Sequence, residues 1–149
     1  LNNCDIKIAA HHRRNENNIP LQGYKFFFDK TNELVKNSDL VICHNSFACQ
    51  LAVLHKKPLI FLVSNYFKNY HYNAFLLTCE LAKTLGAPLI NLEKNFEIKK
   101  NIINRIKSKK MNLKKYVKYK KKYINFPEEK NYGSWKTILQ NLENIEKKS

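Results

Sequence analysis

The stretch that most restricts how this chain can fold is Asp39 to Ser64, DLVICHNSFACQLAVLHKKPLIFLVS. Asp39 to Cys43 is a short apolar run that stops abruptly at His44-Asn45-Ser46. Phe47, Leu51 and Leu54, interleaved with Ala48 and Ala52, then recur at helical spacing. Lys56-Lys57-Pro58 stops that helix, because proline cannot continue it, and Leu59 to Val63 is a second unbroken apolar run. Runs of this length, apolar on both faces, predict parallel strands covered by helices on each side. The turn at Asn45-Ser46 then lies at the carboxyl end of a strand and the amino end of a helix. Open α/β sheets take their ligands at that place, and free backbone N–H groups there favour an anion.

The flanking sequence repeats the same alternation. Asp5 to Ala10 predicts a strand that runs into the basic cluster His11-His12-Arg13-Arg14. Asn15 to Gln22, with Pro20, reads as a loop, and Tyr24 to Phe28 as another strand. Asp29 or Thr31 is placed to cap a short helix whose Leu34 and Val35 face the core. After Ser64, Asn65 to Tyr72 reads as an aromatic, amide-rich loop. Phe75, Leu76, Cys79, Leu81, Ala82 and Leu85 share one helical face, and Gly86 is placed to end that helix. Pro88 to Leu92 is the last strand. This order predicts the α/β class, with a Rossmann-like, doubly wound parallel sheet of about five strands.

That core occupies residues 1–92, and residues 93–149 form a basic helical extension packed on the same domain. Ile98, Ile102, Ile103 and Ile106 make one apolar stripe, and Leu113, Tyr116, Val117 and Ile124 another. Ser134 caps a final helix carrying Trp135, Ile138, Leu139, Leu142 and Ile145.

A chain of 149 residues is large enough for a real core, and 44% hydrophobic content with only 3 Gly argues against a disordered polymer. Lys and Arg number 27 against 12 Asp and Glu, a net charge of +15. That excess predicts an anionic partner: a phosphorylated ligand, a membrane surface or nucleic acid. Cys4, Cys43, Cys49 and Cys79 form no C-x-x-C pair and read as reduced thiols, with neither disulfide nor metal site expected. No apolar run approaches the roughly 20 residues needed to span a bilayer. The expected location is cytoplasmic, or peripheral on the inner membrane face. The start at Leu1, without Met, suggests the carboxyl part of a longer protein.

A strand ending in His-x-Arg, a polar loop, a short helix, then Ser38-Asp39-Leu40-Val41-Ile42 with His44-Asn45-Ser46 and Lys57-Pro58-Leu59-Ile60, resembles the carboxyl-terminal half of GT-B glycosyltransferases. The likeness is greatest to bacterial surface-polysaccharide transferases of the CMP-sugar and CDP-glycerol groups, and it covers Asp5 to Leu92. The resemblance implies a nucleotide held by His12, with Arg13 or, in the alternative register, His12 itself in place of the family's proline, and by Asn45 with Ser46; Phe47 joins them through its backbone N–H. His44 and Tyr66 are secondary candidates. The family's ribose-holding Glu is Leu51 here, and the Gly before Lys-Pro is Lys56. No cofactor is implied beyond a CMP-, CDP- or UDP-linked sugar as donor. The glycan acceptor site and the catalytic base belong to an amino-terminal domain in such enzymes, so this chain alone is expected to bind and not to turn over.

The chemistry supports that placement independently. Ser46 Oγ, the N–H groups of Phe47 and Ala48, and His12 or Arg13 are donors suited to a phosphate. Ser46 is equally suited to plain helix capping. Two other functions fit the same sequence: a sugar-nucleotide epimerase of this fold, and a non-enzymatic RNA-binding domain. The latter rests on Lys114 to Lys122, where lysines interleave with Tyr116, Tyr119 and Tyr123 as in single-strand binders. The same lysines suit an anionic membrane.

Overall fold

The computed structural model describes residues 5–10, 23–93 and 111–124. The basic cluster with His12 and Arg13, the Pro20 loop, Cys4, the Ile98–Ile106 stripe and the Trp135 helix lie outside the described residues. The fold is α/β with all strands parallel. In chain order come β1 (Lys7–Ala10), β2 (Lys25–Phe28), α1 (Thr31–Asn37), β3 (Val41–Cys43), α2 (Ala48–Leu54) and β4 (Leu59–Val63). They are followed by α3 (Asn65–Tyr70), α4 (Tyr72–Leu85), β5 (Leu89–Asn91), α5 (Leu113–Tyr119) and a π-helical turn at Lys120–Ile124.

The strands do not form the expected single five-stranded sheet. Among the described residues they form a pair, β1-β2, and a separate three-stranded sheet, β3-β4-β5. Val41 lies beside Leu59, Cys43 beside Phe61 and Phe61 beside Leu89, so these residues share one face. β3 has three residues and β1 four, and no ladder joins β1 to β3. α1 packs on both β1 and α2 and so lies between the two sheets in the chain's packing.

The core lies on the face carrying Val41, Cys43, Leu59 and Phe61. Cys49, Ala52 and Val53 of α2, Ala82 and Leu85 of α4, and Tyr116 and Tyr119 of α5 close over it. The opposite face is less covered: Ile60 is buried, but Ile42 beside it is 58% exposed.

The helix faces also differ from the periodicity reading. α2 buries Cys49, Ala52 and Val53, whereas Phe47 is 71% exposed and Leu54 40%. Small inward residues let the helix approach the sheet closely, and the larger ones are displaced to its flanks. In α4 Leu76 is exposed and Thr78 is fully buried, its hydroxyl donating to the Ala74 carbonyl at 2.8 Å. In α5 the inward residues are Tyr116 and Tyr119, while Leu113 and Val117 face out. α1 starts at Thr31 without a side-chain cap, and Asp29 adopts a left-handed φ of 55°.

Two stops behave as read. Gly86 takes the left-handed conformation at the end of α4, with φ of 65°. Lys56, standing where the resemblance implies glycine, has φ of 52°. A lysine there is strained relative to glycine.

α5 is held by polar contacts as well as by its rings. Tyr116 donates its hydroxyl to the Lys57 carbonyl at 2.9 Å, and Lys115 Nζ donates to the Lys83 carbonyl at 2.9 Å. Tyr116→Phe keeps the packing and leaves the Lys57 carbonyl without this donor. It should lower stability by about 1 kcal/mol, read as a lower urea midpoint at unchanged slope.

Candidate functional site

Parallel strands end on the same side, so the turns after β3, β4 and β5 meet along one rim. The β3 turn is set by Asn45, whose φ is 38°. Asparagine tolerates this left-handed region better than other side chains, because its amide can bond locally. Ser46 Oγ accepts from the Ala48 N–H at 3.2 Å, and the Ser46 carbonyl accepts from Cys49 N–H at 3.2 Å. The serine thus caps the first turn of α2. A hydroxyl that accepts one bond still has its own O–H to donate. Capping and holding an anion are therefore compatible. His44, Asn45, Ser46 and Phe47 are all exposed, so the turn is an open rim.

The turn after β4 is folded tightly. Ser64 accepts from the Phe67 N–H at 3.0 Å and caps α3. Residues 65–70 are helical where a loop was expected, and the cause lies partly in a residue far along the chain. The Glu93 carboxylate accepts from the Asn65 N–H at 2.6 Å and the Tyr66 N–H at 3.4 Å. Asn91 ties in as well: its side-chain amide donates to Asn65 Oδ1 at 3.3 Å, and its Oδ1 accepts from the Glu93 N–H at 3.0 Å. The anion-favouring end of α3 is thus filled by the chain's own carboxylate.

The sequence reading missed Glu93 and Asn91. A signal existed, because parallel pairing of β4 with β5 sets Val63 beside Asn91 and brings both following turns together. It was hidden because pairing partners, not local spacing, carry it.

The β3 and β4 turns touch through rings. His44 packs on Phe67 with centroids 4.0 Å apart, and Phe67 also meets Phe75 edge-on at 6.3 Å. Phe67 is buried, so His44 lies over an apolar support. Tyr66 and Tyr70 pack one turn apart on α3 at 4.4 Å, and are 62% and 70% exposed. Of the expected site residues the structure gathers His44, Asn45, Ser46, Phe47 and Tyr66 along the rim. His12 and Arg13 lie outside the described residues, and β1, the strand before them, pairs with β2.

Beneath the turn, Cys43 and Cys49 are buried free thiols. Burial pushes the Cys43 thiol up to about 12, with the nearby Cys49 adding to the effect. Burial also raises Cys49 and the Tyr116 hydroxyl. These thiols are poor nucleophiles, since the thiolate is the reactive form. Cys79, partly exposed, is also a free thiol. Among the described residues no group of three His, Cys, Asp or Glu is placed to hold a metal ion.

Comparison with protein-family models, curated proteins and solved structures finds no match to this chain.

Two outcomes follow from this geometry. Glu93→Ala removes the acceptor of two helix-end N–H groups and should cost about 1 kcal/mol, measured by urea unfolding. The raised thiols set the alkaline behaviour. Cys43 is neutral in the fold up to about 12, whereas an unfolded thiol ionises near 9.0. Its stabilising contribution is whole below the unfolded value and is lost as pH rises towards the folded one. The urea midpoint should therefore fall as pH rises above about 9, and less steeply in Cys43→Val.

Proposed function

We propose that this domain binds the nucleotide of an activated sugar at the rim after β3, as the donor half of a GT-B-type glycosyltransferase acting in surface-polysaccharide assembly. The observation that carries the reading is the β3 turn. A left-handed Asn45 presents Ser46 at the carboxyl end of a parallel strand, with a hydroxyl proton still available. The Phe47 N–H has no acceptor among the described residues and adds a second donor to the same spot. Glu93 occupies the equivalent place on α3, which supports the β3 turn over the β4 turn as the phosphate position. The exposed rings of Phe47 and Tyr66 supply flat surface for a base or sugar.

In this reading the two sheets are halves of one doubly wound, Rossmann-like sheet, with β1 lying along the open edge of β3. The packing of α1 on both β1 and α2 supports that arrangement. His12 and Arg13 follow β1 in the sequence as Asn45 and Ser46 follow β3. A separate domain supplies the acceptor site and the base. The only carboxylate that the described residues place in the rim's hydrogen bonds is Glu93, and it is engaged by two backbone amides.

Thermal unfolding with CMP, CDP, UDP and GDP side by side tests this. A nucleotide at a hundred times its dissociation constant stabilises the fold by about 2.7 kcal/mol, a shift of several degrees. Ser46→Ala lowers the baseline by about 1 kcal/mol through the lost cap, so the increment added by nucleotide is the quantity to compare. The increment should appear with one nucleotide and shrink in Ser46→Ala. An equal increment in the variant, or none with any nucleotide, would count against the site.

A further inference from the structure

Residues 111–124, MNLKKYVKYKKKYI, hold six lysines and no carboxylate. The inward side of this segment is aromatic: Tyr116 and Tyr119 are 3% and 6% exposed. The outward side is of a different kind. Leu113 and Val117 are 53% and 56% exposed, and stand one helical turn apart on a common flank. Lys114 and Lys118, also exposed and one turn apart, form the adjoining flank. Beyond them the chain widens into the π-helical turn, where Lys121, Lys122 and Tyr123 are exposed. Lys122 Nζ lies over the Tyr123 ring, 5.0 Å from its centroid. Lys115 is engaged by the Lys83 carbonyl, and among the described residues none of these lysines meets a carboxylate.

This distribution discriminates between anionic partners. A single-stranded nucleic acid needs cations for its phosphates and flat rings for its bases. Two of the three tyrosines in the segment are inside the core, so the interleaved pattern of the sequence does not reach the surface. An exposed aliphatic pair between lysines offers nothing to a phosphodiester chain. A lipid surface uses each component: lysines meet anionic headgroups, Leu113 and Val117 reach the acyl boundary, and a tyrosine suits the headgroup level.

We infer that the outward face of α5 and its π-helical turn is a docking surface for an anionic lipid bilayer. The surface is separate from the β3 turn, and the inference does not rest on the nucleotide reading. No helix among the described residues is long and apolar enough to cross a membrane, so the contact is made at the interface.

Co-sedimentation of the full chain with vesicles tests it, comparing phosphatidylcholine alone with phosphatidylcholine–phosphatidylglycerol mixtures. Binding is expected only to the mixed vesicles, and to weaken with added salt. Each lysine removed should lower partitioning about fivefold, so Lys114→Gln with Lys118→Gln and Lys121→Gln should lower it on the order of a hundredfold. Leu113→Ser with Val117→Ser should lower it about tenfold at unchanged thermal stability, both side chains being exposed. Binding to neither vesicle, equal binding to both, or full retention by the triple lysine variant would overturn the inference. So would wild-type binding by the aliphatic variant, or a preference for single-stranded oligouridylate over the mixed vesicles.

Discussion

Phe61 is fully buried at the middle of the central strand, with Cys43 on one side and Leu89 on the other. Most of the molecule depends on that parallel register. The Val41 N–H donates to the Pro58 carbonyl and the Phe61 N–H to the Pro88 carbonyl, each at 2.9 Å. Both prolines thus mark where a chain returns to the sheet, still supplying an acceptor although neither has a donor to give. Because the strands run the same way, each crossover needs a helix, and all the helices that reach this core close on one face. A shift of one residue would exchange Phe61 for Ile60 or Leu62 in that core and move every turn on the rim.

How much of this was legible depends on whether the signal was local. β4 coincides with its apolar run, and β3 falls inside the run that ends at Cys43, because a continuous run bounded by breakers is a local pattern. Gly86 and Lys56 stop helices for local backbone reasons. The class, with parallel strands, followed from alternation alone. What failed was whatever depends on partners. Apolar periodicity in α2 is satisfied equally by Phe47-Leu51-Leu54 and by Cys49-Ala52-Val53, and only the closeness of the sheet selects the smaller set. Helix α3 looked like a loop because it is six residues long and draws on Glu93, distant in sequence, to satisfy its first amides. Element order carried the parallel α/β class, but order does not say whether β1 and β3 are bonded, and the described residues form two smaller sheets. In the candidate site, Asn45 and Ser46 were legible because a strand ending in a small polar pair is a local sign. Glu93 was not.

The rim is selective by its own electrostatics. Two helix beginnings face it, after β3 and after β4, and backbone amides at both favour an anion. Glu93 satisfies one of them internally, while nothing described satisfies Phe47 at the other. A chain with net charge +15 attracts anions over its whole surface, so attraction alone selects no place on it. Local donors do, and the distribution of carboxylates decides which donors remain free.

α5 joins this rim to the outer surface. Its tyrosines pack beside α2: Tyr116 donates to the Lys57 carbonyl beyond the end of that helix, and Tyr119 lies in the same buried cluster as Cys49 in its first turn. Gln50 is four residues from Ser46, and the Gln50 N–H donates to the Phe47 carbonyl at 3.0 Å. The helix that exposes Leu113, Val117 and the lysines therefore also packs in the core that α2 closes. Its inward and outward faces are only half a turn of backbone apart. The tyrosines hold α5 on the core beside α2, and the lysines stay at the surface.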